Sequence, residues 1–115
     1  MYAAAISEVD GRTALLTPET LTEFTTGHIP GTDLVTGEED HFLLGFEAQS
    51  ARYPGLSTRA FGHTGANGSN AFADPAIGLA HSYTRARFTP RGDVPAVENR
   101  ALTTTLLRAL TRTGS

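Results

Sequence analysis

Apolar residues along this chain change their period several times, and each change predicts an element. Tyr2, Ala5, Ile6 and Val9 follow i, i+3, i+4, i+7 spacing, one face of a short α-helix that Asp10-Gly11 ends. A second helix start is sharper. Thr17 offers a capping hydroxyl, Pro18 suits the first helical position, and Glu19 favours the positive helix end. Leu16 and Leu21 occupy the two positions of a hydrophobic staple, so a helix is predicted over 18–25 with Leu21 and Phe24 inward. Residues 26–40 are rich in Thr, Gly, Asp and Glu and read as a surface loop. Phe42, Leu44 and Phe46 alternate with Leu43, Gly45 and Glu47, the period of a strand. Residues 50–58 read as a loop turned at Pro54-Gly55. Further strands are predicted over 59–64, 69–73 and 78–87, with Leu79, His81 and Tyr83 sharing a face of the last. Val97, Ala101, Leu102, Leu106, Ala109 and Leu110 mark an amphipathic C-terminal helix whose apolar stripe is expected in the core.

Consecutive strands joined by short turns favour antiparallel pairing. The predicted fold class is therefore α+β: an antiparallel sheet of about four strands, flanking N-terminal helices, and a C-terminal helix packed on the sheet. No repeat or linker divides residues 1–115, so they read as a single unit.

Composition narrows the classes. Hydrophobic residues make up 39% and charged residues 18%, too apolar for a disordered chain and too polar for a membrane protein. No apolar run approaches the ~20 residues that span a bilayer. A net charge of -3 argues against nucleic acid as the partner. Cysteine is absent, which removes disulfides, thiolate zinc sites and cysteine nucleophiles. The four histidines show no metal-ligand spacing, so no metal or other cofactor is expected. All nine basic residues are arginine, and there is no lysine. No secretory signal is visible at Met1-Tyr2-Ala3, which favours the cytoplasm unless an N-terminal segment is missing.

The densest chemistry lies in Phe61-Gly62-His63-Thr64-Gly65-Ala66-Asn67-Gly68. Glycines in a strand let a backbone or a ligand come close. Here they flank an imidazole, a hydroxyl and several backbone donors, a combination suited to a polar substrate lying along a strand edge. Asn67-Gly68 is also a common turn dipeptide. Ser69 is a hydroxyl near His63 in sequence, with no base–orienter pair evident beside it.

His63-Thr64-Gly65 resembles the third active-site box of the serine β-lactamase and penicillin-binding-protein superfamily, usually Lys-Thr-Gly. In the class C-like branch, which includes esterases, histidine often replaces that lysine. Ala71-Phe72-Ala73-Asp74-Pro75 and Gly78-Leu79-Ala80, followed by a helix, are similar to the usual end of these proteins. Leu15-Leu16-Thr17-Pro18-Glu19-Thr20 resembles their Leu-Leu-Ser-Pro-Glu-Thr helix start. The resemblance implies the C-terminal part of a β-lactamase-like domain acting through an acyl-enzyme on a small ester or amide. It implies that the Ala66 N–H is half of an oxyanion hole, that His63 tunes proton transfer or binds substrate, and that Thr64, Gly65 and Asn67 contact substrate.

The resemblance is incomplete in one respect. Without lysine, the first box, Ser-x-x-Lys, is absent, and neither Tyr53-Pro54-Gly55 nor Tyr83-Thr84-Arg85 fits the second box, Tyr-x-Asn. The chain alone is thus expected to be inactive, and the missing upstream subdomain would leave apolar surface open to self-association. The competing reading is a stand-alone, non-catalytic domain that keeps this fold for binding or assembly.

Overall fold

The computed structural model describes residues 1–26, 31–32, 34–35, 37, 39–65, 67–85 and 97–112. Helix α1 covers Tyr2–Ile6 and α2 covers Pro18–Thr25. α1 is shorter than its apolar period predicts, because the chain turns extended at Ser7. Val9 and Arg12 then exchange hydrogen bonds of 3.1 and 3.0 Å around Asp10-Gly11, whose φ angles of 51° and 75° are those of a type I′ hairpin turn. Asp10-Gly11 therefore makes a hairpin and does not end the helix. α2 begins where its cap predicts, with Thr17 Oγ1 accepting the Thr20 N–H at 3.2 Å.

Strands β1 (Gly31–Thr32) and β2 (Glu39–Asp40) form a two-stranded antiparallel pair within the segment expected to be loop. The main sheet is antiparallel, in the order β3 (Glu47–Ala48), β4 (Phe61–Thr64), β5 (Asn70–Asp74) and β6 (Leu79–Tyr83). A 3-10 turn at Gln49–Ala51 leads from β3 toward β4, and helix α3 (Val97–Arg112) follows β6. The α+β class and the four-stranded antiparallel sheet agree with the sequence. Among the described residues, no helix is long and apolar enough to cross a membrane.

Of the strand expected over 42–47, only Glu47 lies in β3, and the residues before it form a hairpin tip. Phe42 bridges Glu47, the Ala48 N–H donates to the His41 carbonyl at 2.8 Å, and Gly45 reverses the chain at φ 79°. That reversal breaks the apparent alternation. Leu43 and Phe46 turn inward, while Phe42 and Leu44 stay exposed.

Strand pairing assigns each side chain to a face. Phe61 stands opposite Ala73 and His63 opposite Ala71 on the face covered by α1 and α2. Here Phe61 and Ala73 pack with Ala5 and Leu21, and Phe46 stacks edge-on against Phe61 at 5.1 Å and Phe24 at 6.0 Å. The other face carries Phe72 and Leu79 with Tyr53, Leu56 and Ala60, under Leu107 and Leu110 of α3. Leu79, His81 and Tyr83 share this face, as their alternation predicts.

The α3 stripe differs from expectation. Asn99 and Thr103 are buried, whereas Leu102 is 37% exposed and Ala101 and Ala109 face solvent. The helix is turned so that polar side chains meet the sheet near its first two turns and leucines meet it near its end.

Candidate functional site

β4 is an inner strand, and its glycine makes close pairing possible. A Cβ on Gly62 would fall on the Ala71 carbonyl oxygen and 2.6 Å from Phe72 Cα. With no side chain there, β4 seats tightly against β5 and fixes the neighbouring residues. His63 then projects from the α1/α2 face into solvent. The Phe42 ring, carried by the hairpin tip, packs on the imidazole at 5.8 Å and is itself 38% exposed. An exposed imidazole thus stands beside an exposed aromatic surface.

Thr64 belongs to the opposite face. Its hydroxyl donates to Asn70 Oδ1 at 3.0 Å, and Asn70 Nδ2 donates to the Tyr53 hydroxyl at 3.4 Å. Burial pushes the Tyr53 phenol above its ordinary range, opposed by a hydrogen bond with Thr64 and by Arg52 and Arg100 nearby. This buried network pins the end of β4 from beneath.

The turn after β4 is held equally firmly. The Gly65 N–H donates to the Ser69 carbonyl at 2.8 Å, and the Gly68 N–H to the Gly65 carbonyl at 3.0 Å. Asn67 Oδ1 accepts the Ser69 N–H at 2.9 Å, an Asx turn. Asn99 Nδ2, fully buried on α3, donates to the Gly68 carbonyl at 2.7 Å. The first turn of α3 is tied to the sheet in turn, because Glu98 accepts from Arg85 Nε at 2.9 Å and from the Tyr83 hydroxyl at 3.4 Å. Ala66 lies outside the described residues. Ser69 Oγ accepts the Arg85 N–H at 2.9 Å, so its hydroxyl is occupied in holding the turn.

The structure therefore brings His63, Thr64, Gly65 and Asn67 into one strand and turn, with the two side chains of His63 and Thr64 on opposite faces. Asn99, Asn70 and Tyr53 support that strand and turn, a role that their sequence positions do not signal. Asn99 carries no sequence signal, since a polar residue early in a helix ordinarily faces water. Among the described residues, no three His, Asp or Glu side chains are grouped to hold a metal ion.

Solved structures share the fold. EstA from Arthrobacter nitroguajacolicus Rue61a superposes with a TM-score of 0.81 at 32% identity, over 99% of this chain and 31% of that one. The chain has the fold of part of a β-lactamase-like serine hydrolase. A penicillin-binding-protein homolog from Caulobacter crescentus matches with a TM-score of 0.59 at 37% identity, over 71% of this chain and 22% of that one. The chain thus spans under a third of each of these two neighbours. No family model and no curated protein matches it.

Proposed function

We propose that β4 and its turn form one wall of the acyl-transfer site of an esterase-type serine hydrolase whose nucleophile lies on polypeptide outside this sequence. In that site a serine oxygen attacks the ester carbonyl, the alcohol leaves, and water then releases the acid from the acyl-enzyme. The Ala66 N–H donates to the carbonyl oxygen as negative charge builds on it. One such donor contributes about 10²–10³ in rate. His63 assists the proton transfers at the serine and the leaving alcohol, or binds the substrate's polar groups. Phe42 forms the apolar side of the acyl pocket. Gly65 and Asn67 line the approach beside Ala66, and Thr64 acts on substrate either directly or by fixing β4 through Asn70.

The observation that carries this reading is the exposed His63 beside exposed Phe42, on a strand pinned from behind by Thr64, Asn70 and Tyr53. It stands in a chain 32% identical to EstA along 99% of its length. The test is a chimera in which this chain replaces the matching segment of EstA. Hydrolysis of p-nitrophenyl acetate by the chimera, with none by the 115-residue chain alone, is the expected result. A folded chimera without turnover, or turnover by the isolated chain that survives His63→Ala, overturns the reading.

A further inference from the structure

The turn after β4 is held one peptide unit at a time, and the contacts lead from the site to α3. A trans peptide unit is planar, with its carbonyl and its N–H pointing in opposite directions. Fixing the Gly65 carbonyl therefore fixes the direction of the N–H across that bond, the Ala66 N–H proposed as the oxyanion donor. The Gly65 carbonyl accepts the Gly68 N–H at 3.0 Å. That N–H shares its peptide unit with the Asn67 carbonyl, which accepts from Arg85 Nη1 at 3.5 Å. Gly68 has φ 95°, a backbone angle that other residues rarely adopt, and its own carbonyl accepts from Asn99 Nδ2 at 2.7 Å. Both peptide units that meet at Gly68 are thus braced, one by Arg85 and the other by Asn99.

Asn99 is costly for its place. It is fully buried between α3 and the sheet, where an apolar side chain would give up no hydrogen bond to water. Among the described residues its Oδ1 has no partner, so the bond to Gly68 is the polar contact that its side chain makes. Only the amide nitrogen can face a carbonyl oxygen, which fixes the orientation of the amide. The residue before it completes the brace. Glu98 accepts from Arg85 Nε at 2.9 Å and so holds the guanidinium that reaches the Asn67 carbonyl. We infer that Asn99 and, by a longer contact, Arg85 are positioning residues of the acyl-transfer site: they hold Gly68 so that the Gly65 carbonyl, and with it the Ala66 N–H, keeps the direction the oxyanion needs. This inference rests on the proposed hydrolase function. Removing an oxyanion donor costs about 10²–10³ in rate. Loosening its brace tilts the donor and leaves it present, so the cost is smaller.

The test places Asn99→Leu and Arg85→Gln in the EstA chimera, beside the unmutated chimera. A contact that matters only in the transition state lowers kcat and leaves KM alone. Asn99→Leu is expected to lower kcat for p-nitrophenyl acetate by about tenfold to fiftyfold, with KM changed by less than about twofold. Arg85→Gln is expected to lower it by about threefold. Phenylboronic acid, which forms a tetrahedral adduct with an active-site serine, reads the donor separately. Its Ki is expected to rise by the factor by which kcat falls. A role in folding alone lowers the active fraction, and so kcat, without moving Ki. Gly78→Ala, at the far end of β5 from this turn, is the destabilised control and is expected to keep both values. Unchanged kcat in the folded variants, a fall in kcat without a rise in Ki, or a rise in KM at constant kcat overturns the inference. If Asn99→Leu does not fold, Arg85→Gln decides by the same split, because its side chain is partly exposed. A chimera without turnover, or with turnover indifferent to His63→Ala, sinks the hydrolase function and this inference with it. In an active chimera that depends on His63, failure of the Asn99 and Arg85 variants to behave as stated sinks this inference alone.

Discussion

Gly62→Ala is expected to loosen the strand that carries His63. The added Cβ meets the Ala71 carbonyl oxygen, and Phe72 Cα and Cβ at 2.6 and 2.7 Å, well inside van der Waals contact. Two of these three atoms are backbone, so no side-chain rotation relieves the clash, and β4 must move away from β5. Overpacking of a well-packed interior costs about 1–3 kcal/mol. With backbone as the obstacle, about 3 kcal/mol is the expected value. For a domain of this size each kcal/mol shifts Tm by about 4 °C, so a drop of about 12 °C follows. Gly78→Ala is the matched control. Gly78 has φ +66°, and a Cβ there would meet nothing within 4 Å, so alanine suffers only the left-handed backbone penalty of about 1 kcal/mol. Circular dichroism melts of the two variants beside wild type measure the difference. Equal losses of Tm, or a Gly62→Ala loss under about 1 kcal/mol, would refute the claim that close β4–β5 approach depends on glycine.

The supporting residues yield further expectations. Asp74, fully buried, accepts the Ser57 N–H at 2.8 Å, the Ser57 hydroxyl at 2.5 Å and the Ala76 N–H at 3.1 Å. Asp74→Ala strands those donors and is expected to cost about 3 kcal/mol in urea unfolding. Asn99→Ala removes the bond to the Gly68 carbonyl, and is expected to cost about 1–2 kcal/mol and to speed hydrogen exchange at the Gly68 amide. His81 packs on Phe72 at 5.2 Å, and burial pushes its imidazole below the ordinary histidine value. The unfolded chain then binds a proton that the folded chain resists. Stability from this group is complete above about pH 6.5 and is lost as pH falls toward the lowered folded value. Tm is expected to fall between about pH 7.5 and 5.5, and the fall to shrink in His81→Phe. An unchanged slope in that variant would assign the acid sensitivity to other groups.

Local chemistry was legible in the sequence wherever one residue determines one conformation. Thr17-Pro18 starts α2 because the cap and the proline act within a single turn, whatever packs on top. The β4, β5 and β6 strands were visible because each follows a turn signal and alternates faces. The segment 42–46 misled because Gly45 places the chain at φ 79°, and a left-handed residue resets which side chains point inward without altering their order. α3 misled in another way. Leu102, Leu106, Leu107 and Leu110 share one arc of the helix of about 140°, and the buried part of that arc also takes the polar Asn99 and Thr103, with Asn99 reaching the Gly68 carbonyl. That bond joins residues 31 positions apart, beyond the reach of any periodicity. The same reason hid the support of the candidate site. His63 and its glycines form a contiguous motif, whereas Tyr53, Asn70 and Asn99 come together only in the folded chain.

The most direct measurement is the acetate-ester kcat/KM of the EstA chimera with and without His63→Ala, beside Phe42→Ala. The account predicts that His63→Ala lowers kcat/KM by about a hundredfold or more with Tm unchanged, in line with loss of a group acting on proton transfer. Phe42→Ala should instead raise KM more than it lowers kcat. A chimera whose turnover is indifferent to His63 would contradict the assignment of β4 as a wall of the active site.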